Sequence, residues 1–209
     1  MTRPRFPIVL ACAATLLVAA SPSVAQTAVT LYGGLRGGSG LHQSEPPNAG
    51  VGMSTTAAGS FGIEWPANDA RPYQLFFSTQ RTKLDLSGST TPGTPSEMSL
   101  QVSYVHFGGL NFFDGRWGGG GGYVVGGLGA TILNPKLQGT SSVIRPSMNV
   151  GLGYQWPLGP SVALRAELRG YFTVINSSSS LFCSGGCIVQ IQGDTLTQYE
   201  GLIGLHFGF

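Results

Sequence analysis

The chain has 209 residues, a formal net charge of +2, 33 glycines and only 10% charged residues. That charge content lies far below the ~25% of an ordinary soluble domain, and no basic run is present to hold nucleic acid. One domain is expected at this length, and its apolar surface must serve either a large core or a membrane.

In chain order, Arg3 and Arg5 precede an apolar run, Ile8 to Ala20, and Ser23-Val24-Ala25 then offers small residues for cleavage. This is the pattern of a secretory signal peptide, and the run is short of the ~20 residues of a membrane-spanning helix. Val9-Leu10-Ala11-Cys12 faintly resembles a lipoprotein box, with too little apolar sequence before it. Residues 1–25 are therefore expected to be removed, leaving residues 26–209 with nine basic and nine acidic side chains. No later stretch is long and apolar enough for a helical span. If the mature chain enters a membrane, it must do so as a closed barrel.

Eight strands are predicted, near residues 27–37, 54–65, 71–84, 98–113, 119–133, 146–156, 161–175 and 195–209. The seventh shows the period of two plainly: Val162, Leu164, Ala166, Leu168, Phe172 and Val174 alternate with Arg165, Glu167, Arg169, Tyr171 and Thr173. Short turns at 66–70, 114–117 and 157–160 alternate with long Ser/Thr/Gly/Pro-rich links at 38–53, 85–97, 134–145 and 176–194. Short periplasmic turns and long external loops are the arrangement of an outer-membrane barrel. The expected fold is all-β: an eight-stranded antiparallel up-and-down transmembrane barrel in the cell outer membrane. Trp65, Tyr73, Phe112, Phe113, Tyr123, Tyr154, Trp156, Phe207 and Phe209 then gather at the short-turn rim as an interfacial girdle.

The last strand, "YEGLIGLHFGF", puts Tyr199, Gly201, Ile203, Leu205, Phe207 and Phe209 on one side and Glu200, Leu202, Gly204, His206 and Gly208 on the other. Lipid would cover the first set. The whole mature chain resembles the small outer-membrane barrels of the OmpA-domain, OmpX and opacity type. Ile203, Leu205, Phe207 and Phe209 match the β-signal of such proteins, which implies delivery to the barrel-assembly machinery. "QLFFSTQRT", "GGLGAT" and "LRAELRGYF" are similar to a proteobacterial group of these barrels. The resemblance implies no activity.

Cys183 and Cys187 stand in "CSGGC", within the last long link. An even pair exported to an oxidising compartment is expected to form a small disulfide. A redox site matches the spacing only loosely, and a metal site lacks further ligands. Arg36, Glu64, Arg165, Glu167, Arg169 and Glu200 fall on the inward face. A narrow barrel has room only for its own side chains, so these six are expected to pair as a lumen ion network, with a gated pore or proton path as the alternative. Arg81 and Lys83, at the external end of the third strand, are placed to meet lipopolysaccharide phosphates or merely to be solvated.

Catalytic constellations are weak. Lipid A deacylases use a His and Ser pair on the barrel wall, whereas "VHFGGLN" carries His106 without the following Ser. By period His106 joins Leu100, Val102 and Tyr104 on the lipid side. Polar Ser147, Asn149 and Gln155 point inward and oppose an acyl cavity, and the chain is too short for a ten-stranded protease barrel. His206 points inward with no nucleophile beside it. The expectation is a non-enzymatic monomer with no catalytic residue, cofactor or metal. Its partners are outer-membrane lipid, lipopolysaccharide and the assembly machinery. Its long loops serve envelope integrity or surface adhesion; a lipid A-modifying enzyme or a narrow solute channel is the alternative.

Overall fold

The computed structural model describes residues 27–38, 41–42, 50–51, 53–85, 97–114, 116–136, 141–175, 181–183, 187–189 and 195–209. The expected signal peptide, residues 1–25, lies outside the described residues. The strands are β1 (Ala28–Gly38), β2 (Leu41–His42), β3 (Gly50–Val51), β4 (Thr56–Asn68), β5 (Arg71–Asp85), β6 (Glu97–Phe112), β7 (Gly121–Pro135), β8 (Val143–Pro157), β9 (Val162–Val174), β10 (Leu181–Cys183), β11 (Cys187–Val189) and β12 (Thr195–Gly208). The eight long strands close in the order β1-β12-β9-β8-β7-β6-β5-β4, while β2–β3 and β10–β11 form separate two-stranded ladders. Every pairing is antiparallel.

The short turns close in ways their residues dictate. Asn68 accepts the Ala70 amide on its side-chain oxygen at 3.1 Å, bending the chain between β4 and β5. The amides of Leu158 and Gly159 both reach the Val162 carbonyl, at 2.9 and 3.1 Å, between β8 and β9. Between β6 and β7 the chain runs through Gly120 and Gly121 with φ of 91° and 113°, a region that side chains other than glycine rarely enter. Those two glycines turn the chain back after Trp117 has folded under the barrel.

Pairing fixes the stagger. A row leaving β6 at Val102 passes through Gln80, Ala58, Gly34, Leu202, Glu167, Gly153 and Tyr123 and returns to β6 at Phe112, ten residues further on. Strands so staggered must tilt strongly across the barrel axis.

Burial alternates along most of each long strand, with breaks at Val102–Tyr104 of β6 and around Gly126–Ala130 of β7. Leu31, Leu35, Leu128, Leu152, Leu168 and Ile203 face outward and are each more than half exposed, and the inward residues between them are almost wholly covered. Two face assignments from sequence are corrected. Leu100, Val102, Tyr104 and His106 point inward and are buried, while their neighbours Val105 and Phe107 point out. Phe112 and Tyr123 are likewise interior rather than part of the aromatic girdle. Both faces of β6 and β7 carry apolar residues, so apolarity alone misassigns them. The girdle is carried by Trp65, Tyr73 and Phe107, whose centroids lie 6.0–6.3 Å apart, and by Tyr154 and Trp156 at 4.7 Å.

The interior is apolar at both ends. Met53, Met98, Leu100, Val102, Leu133, Ile175 and Leu196 cap it beneath the long links. Ala28, Leu110, Phe112, Trp117, Tyr123 and Val125 cap it at the short-turn end.

Candidate functional site

Between the two caps lies a polar lumen built by inward positions of all eight long strands. At the short-turn end, β9 presents Arg165 to Glu64 of β4. Nη1 and Nη2 meet the two carboxylate oxygens at 2.5 and 2.9 Å, a bidentate pair with both side chains fully buried. Gln155 accepts from Arg165 Nε at 2.7 Å, and Gln74 donates to Glu64 at 2.9 Å. Trp117 closes the layer from below, its indole N–H donating to Glu64 at 2.9 Å. Its backbone is held from both sides, because its amide donates to Asp69 and its carbonyl accepts from Gln155.

Two residues further along β9 stands Glu167, paired with Arg169 on the same face of the strand. Glu167 also accepts from the hydroxyl of Tyr123 at 2.9 Å and from that of Tyr32 at 3.4 Å. Tyr123 has room to reach it because Gly153 faces it: a Cβ there would lie 2.5 Å from the Tyr123 hydroxyl. Arg169 donates to Gln74 at 2.8 Å and sits 3.7 Å from the centre of the Phe76 ring, a desolvated cation–π contact.

The third pair lies across the seam of the barrel. Arg36 of β1 and Glu200 of β12 are direct register partners, with Nη2 and Oε2 3.1 Å apart. Ser78 and Tyr171 add short hydrogen bonds to this pair, on Arg36 and Glu200 respectively. The guanidinium also lies over the rings of Tyr104 and Tyr171, at 4.9 and 5.0 Å. Above it, Tyr104 donates to Gln198 at 2.7 Å and Thr131 meets Thr173 at 2.7 Å. The structure thus brings together all six charged residues singled out in the sequence, as three neutral pairs. Burying such charges is expensive unless they are paired and hydrogen-bonded. The surrounding Tyr, Gln, Ser and Trp groups supply most of that bonding, while Arg36 Nε and Nη1 and Arg169 Nη1 have no hydrogen-bond partner among the described residues.

His106 and Ser147 meet inside the barrel, with Nε2 and Oγ 2.9 Å apart. Tyr104 and Tyr171 stack beside the imidazole at 5.5 and 6.0 Å. The pair has the contact of a base and a nucleophile, yet both residues are buried and His106 Nδ1 has no carboxylate to orient it. His206, near the other end, bonds Thr30 at 3.0 Å. A cavity of about 240 Å³ opens at the short-turn mouth, bordered by His206, Trp117, Gln155 and Ser161. Among the described residues no cluster of His, Cys, Asp or Glu could hold a metal.

The remaining sequence candidates lie elsewhere. Lys83 pairs with Glu97 at 2.8 Å at the exposed loop end. Ile203, Leu205 and Phe209 face outward on or just after β12. The backbone sets Cys183 opposite Cys187 across β10 and β11, but their side chains, and the disulfide expected there, lie outside the described residues. Sequence reasoning missed Trp117, Tyr104 and Tyr123 as lumen groups, whereas the period of β9 already placed Tyr171 on the inward face with Arg165, Glu167 and Arg169. Register was the signal that could have found Tyr123, since the inward Glu167 of β9 pairs with Gly153 and Gly153 with Tyr123.

The chain matches no protein-family model and no curated protein. Solved structures do match it. Neisserial surface protein A is 13% identical, over 90% of this chain and 100% of that one, with a TM-score of 0.54. The N-terminal β-barrel domain of OprF from Pseudomonas aeruginosa is 12% identical, over 88% of this chain and 97% of that one, with a TM-score of 0.50. At such identities the likeness is one of fold. The chain is a closed, eight-stranded antiparallel barrel with the fold of the small outer-membrane proteins.

Proposed function

We propose that this protein is a non-enzymatic, integral outer-membrane barrel that works through its long external links, in envelope integrity or surface adhesion. The observation that carries the reading is the lumen: three buried ion pairs between two apolar caps. Such an interior leaves side-chain chemistry for holding the wall rather than for passing or converting a solute. The exposed Leu, Ile and Val belt with its aromatic rim supports lipid as the outer solvent. A lipid A-modifying enzyme is the second reading, and the 2.9 Å contact of His106 with Ser147 is what favours it.

Comparison of a deletion strain with its parent tests the choice. The expected outcome is unchanged lipid A by mass spectrometry, with weakened detergent resistance or surface attachment that returns only when the long links are intact. A changed lipid A pattern, restored by wild type but not by Ser147→Ala, would establish the enzyme instead.

A further inference from the structure

The outer surface of the barrel is not uniform at the loop end. Counted from the short-turn end, β5 turns polar outward at its ninth residue, Thr79, and continues with Arg81 and Lys83. On β6 the tenth residue from that end is Ser103 and the twelfth is Gln101. On the other side of the barrel the apolar face runs on, through Phe172 and Val174 at the eleventh and thirteenth residues of β9 and Ile144 at the fourteenth of β8. The lipid-facing belt is therefore notched at β5–β6.

The notch is built and hydrogen-bonded. Thr79 and Ser103 are register partners with hydroxyls 2.9 Å apart, and Gln101 donates to Thr79 at 3.3 Å. Arg81 stands directly opposite Gln101. Among the described residues its exposed guanidinium meets no carboxylate, whereas Lys83 is engaged by Glu97. Among the described residues the exposed cations at this end, Arg81, Lys83 and Lys136, belong to the β5–β7 sector, while Arg145 of β8 is half-buried. Directly below lie Val105 and the Phe61–Phe77 pair, with ring centres 5.4 Å apart, facing outward. A guanidinium above polar hydroxyl and amide groups, over an apolar wall, fits an amphiphile with a phosphate on a sugar that carries acyl chains.

We propose that the β5–β6 notch binds lipid A, with a phosphate on Arg81, sugar hydroxyls against Gln101 and Thr79, which the buried Ser103 braces from beneath, and acyl chains along Val105, Phe61 and Phe77. Guanidinium and phosphate form the strong, charge-assisted kind of hydrogen bond. The inference rests on the outer-membrane reading above.

Native mass spectrometry of the folded mature protein in detergent, with added lipid A, fully dephosphorylated lipid A or phosphatidylglycerol, tests it. Wild type is expected to retain lipid A in preference to both others. Arg81→Ala should weaken that retention roughly tenfold or more, Arg81→Lys should fall between, and Arg71→Ala at the opposite rim should leave it unchanged. Equal retention by Arg81→Ala and wild type, or equal binding of phosphatidylglycerol or the dephosphorylated lipid, would overturn the proposal. Electrophoretic mobility before and after boiling separates the two failures. A chain that never shows the folded band and stays out of the outer membrane refutes the barrel reading; a folded barrel that does not discriminate refutes the notch alone.

Discussion

Trp117 and Glu64 meet beneath the barrel, the indole N–H lying 2.9 Å from a carboxylate oxygen that Arg165 also holds. The turn between β6 and β7 is thus part of the interior. Trp117→Phe keeps most of the ring and removes one hydrogen bond to a charged group, an interaction worth about 1.5–3 kcal/mol. Trp117→Ala also leaves a cavity and should cost about 3–5 kcal/mol. Urea unfolding in lipid vesicles, followed by gel mobility, should rank the two in that order. Equal stability of Trp117→Ala and wild type would mean that the turn is not docked.

Glu64 and Arg165 form a bidentate, fully buried ion pair, and removing either side strands a buried charge. Arg165→Ala and Glu64→Ala should each destabilise by about 3–5 kcal/mol. The double variant should cost clearly less than the two single losses combined, because it leaves no orphan charge. Strict additivity in the cycle would show that the pair does not act as a unit.

Conductance follows from the same packing. Purified protein in a planar bilayer is expected to give no large, steady channel. The triple variant Arg165→Ala, Glu64→Ala, Trp117→Ala empties the short-turn layer but keeps the apolar cap beneath the long links, so it should stay closed as well. A stable, sizeable channel in the wild type would promote the solute-pore alternative.

Phe209 tests the terminus. Its side chain is exposed to the surroundings of the barrel and its amide donates to Thr27 at 2.9 Å. Deleting it removes roughly 1.5–3 kcal/mol of aromatic burial in lipid, together with the last element of the β-signal that the sequence resembles. Surface levels in cells are expected to fall sharply, while refolding in detergent weakens only moderately. Normal surface levels would remove the signal reading.

Cys183 and Cys187 are register partners in a two-stranded ladder, and the sequence leads one to expect a disulfide between them. In protein purified from the envelope, a thiol-directed reagent should label them only after reduction. Labelling without reduction would show free thiols.

The fold was legible because β8, β9 and β12 each have one polar or glycine-rich face and one apolar face. In β9 the run Arg165, Glu167, Arg169 admits one assignment only, and register carries it to neighbouring strands. β6 was misread because its inward face is apolar where it meets the upper cap, at Leu100 and Val102, while its outward face there carries Gln101 and Ser103. The usual rule inverts beyond the lipid belt. The partners within the lumen were not legible, since the tilt and ten-residue stagger decide which inward groups meet. Trp117 was hidden for another reason: a turn residue has no period, and nothing local shows that glycine-rich chain after it will fold the ring inward.

The Arg36–Glu200 pair has a consequence for how the molecule is made. Its members belong to the first and last strands and stand 164 positions apart in the chain. Until β12 reaches β1, the sheet has two open edges, and both charges lack the partner that compensates their burial. Sealing the cylinder and neutralising its heart are therefore one event. A chain halted one strand short would leave Arg36 without Glu200 at an open edge. The last strand thus completes the wall and the charge balance of the interior together.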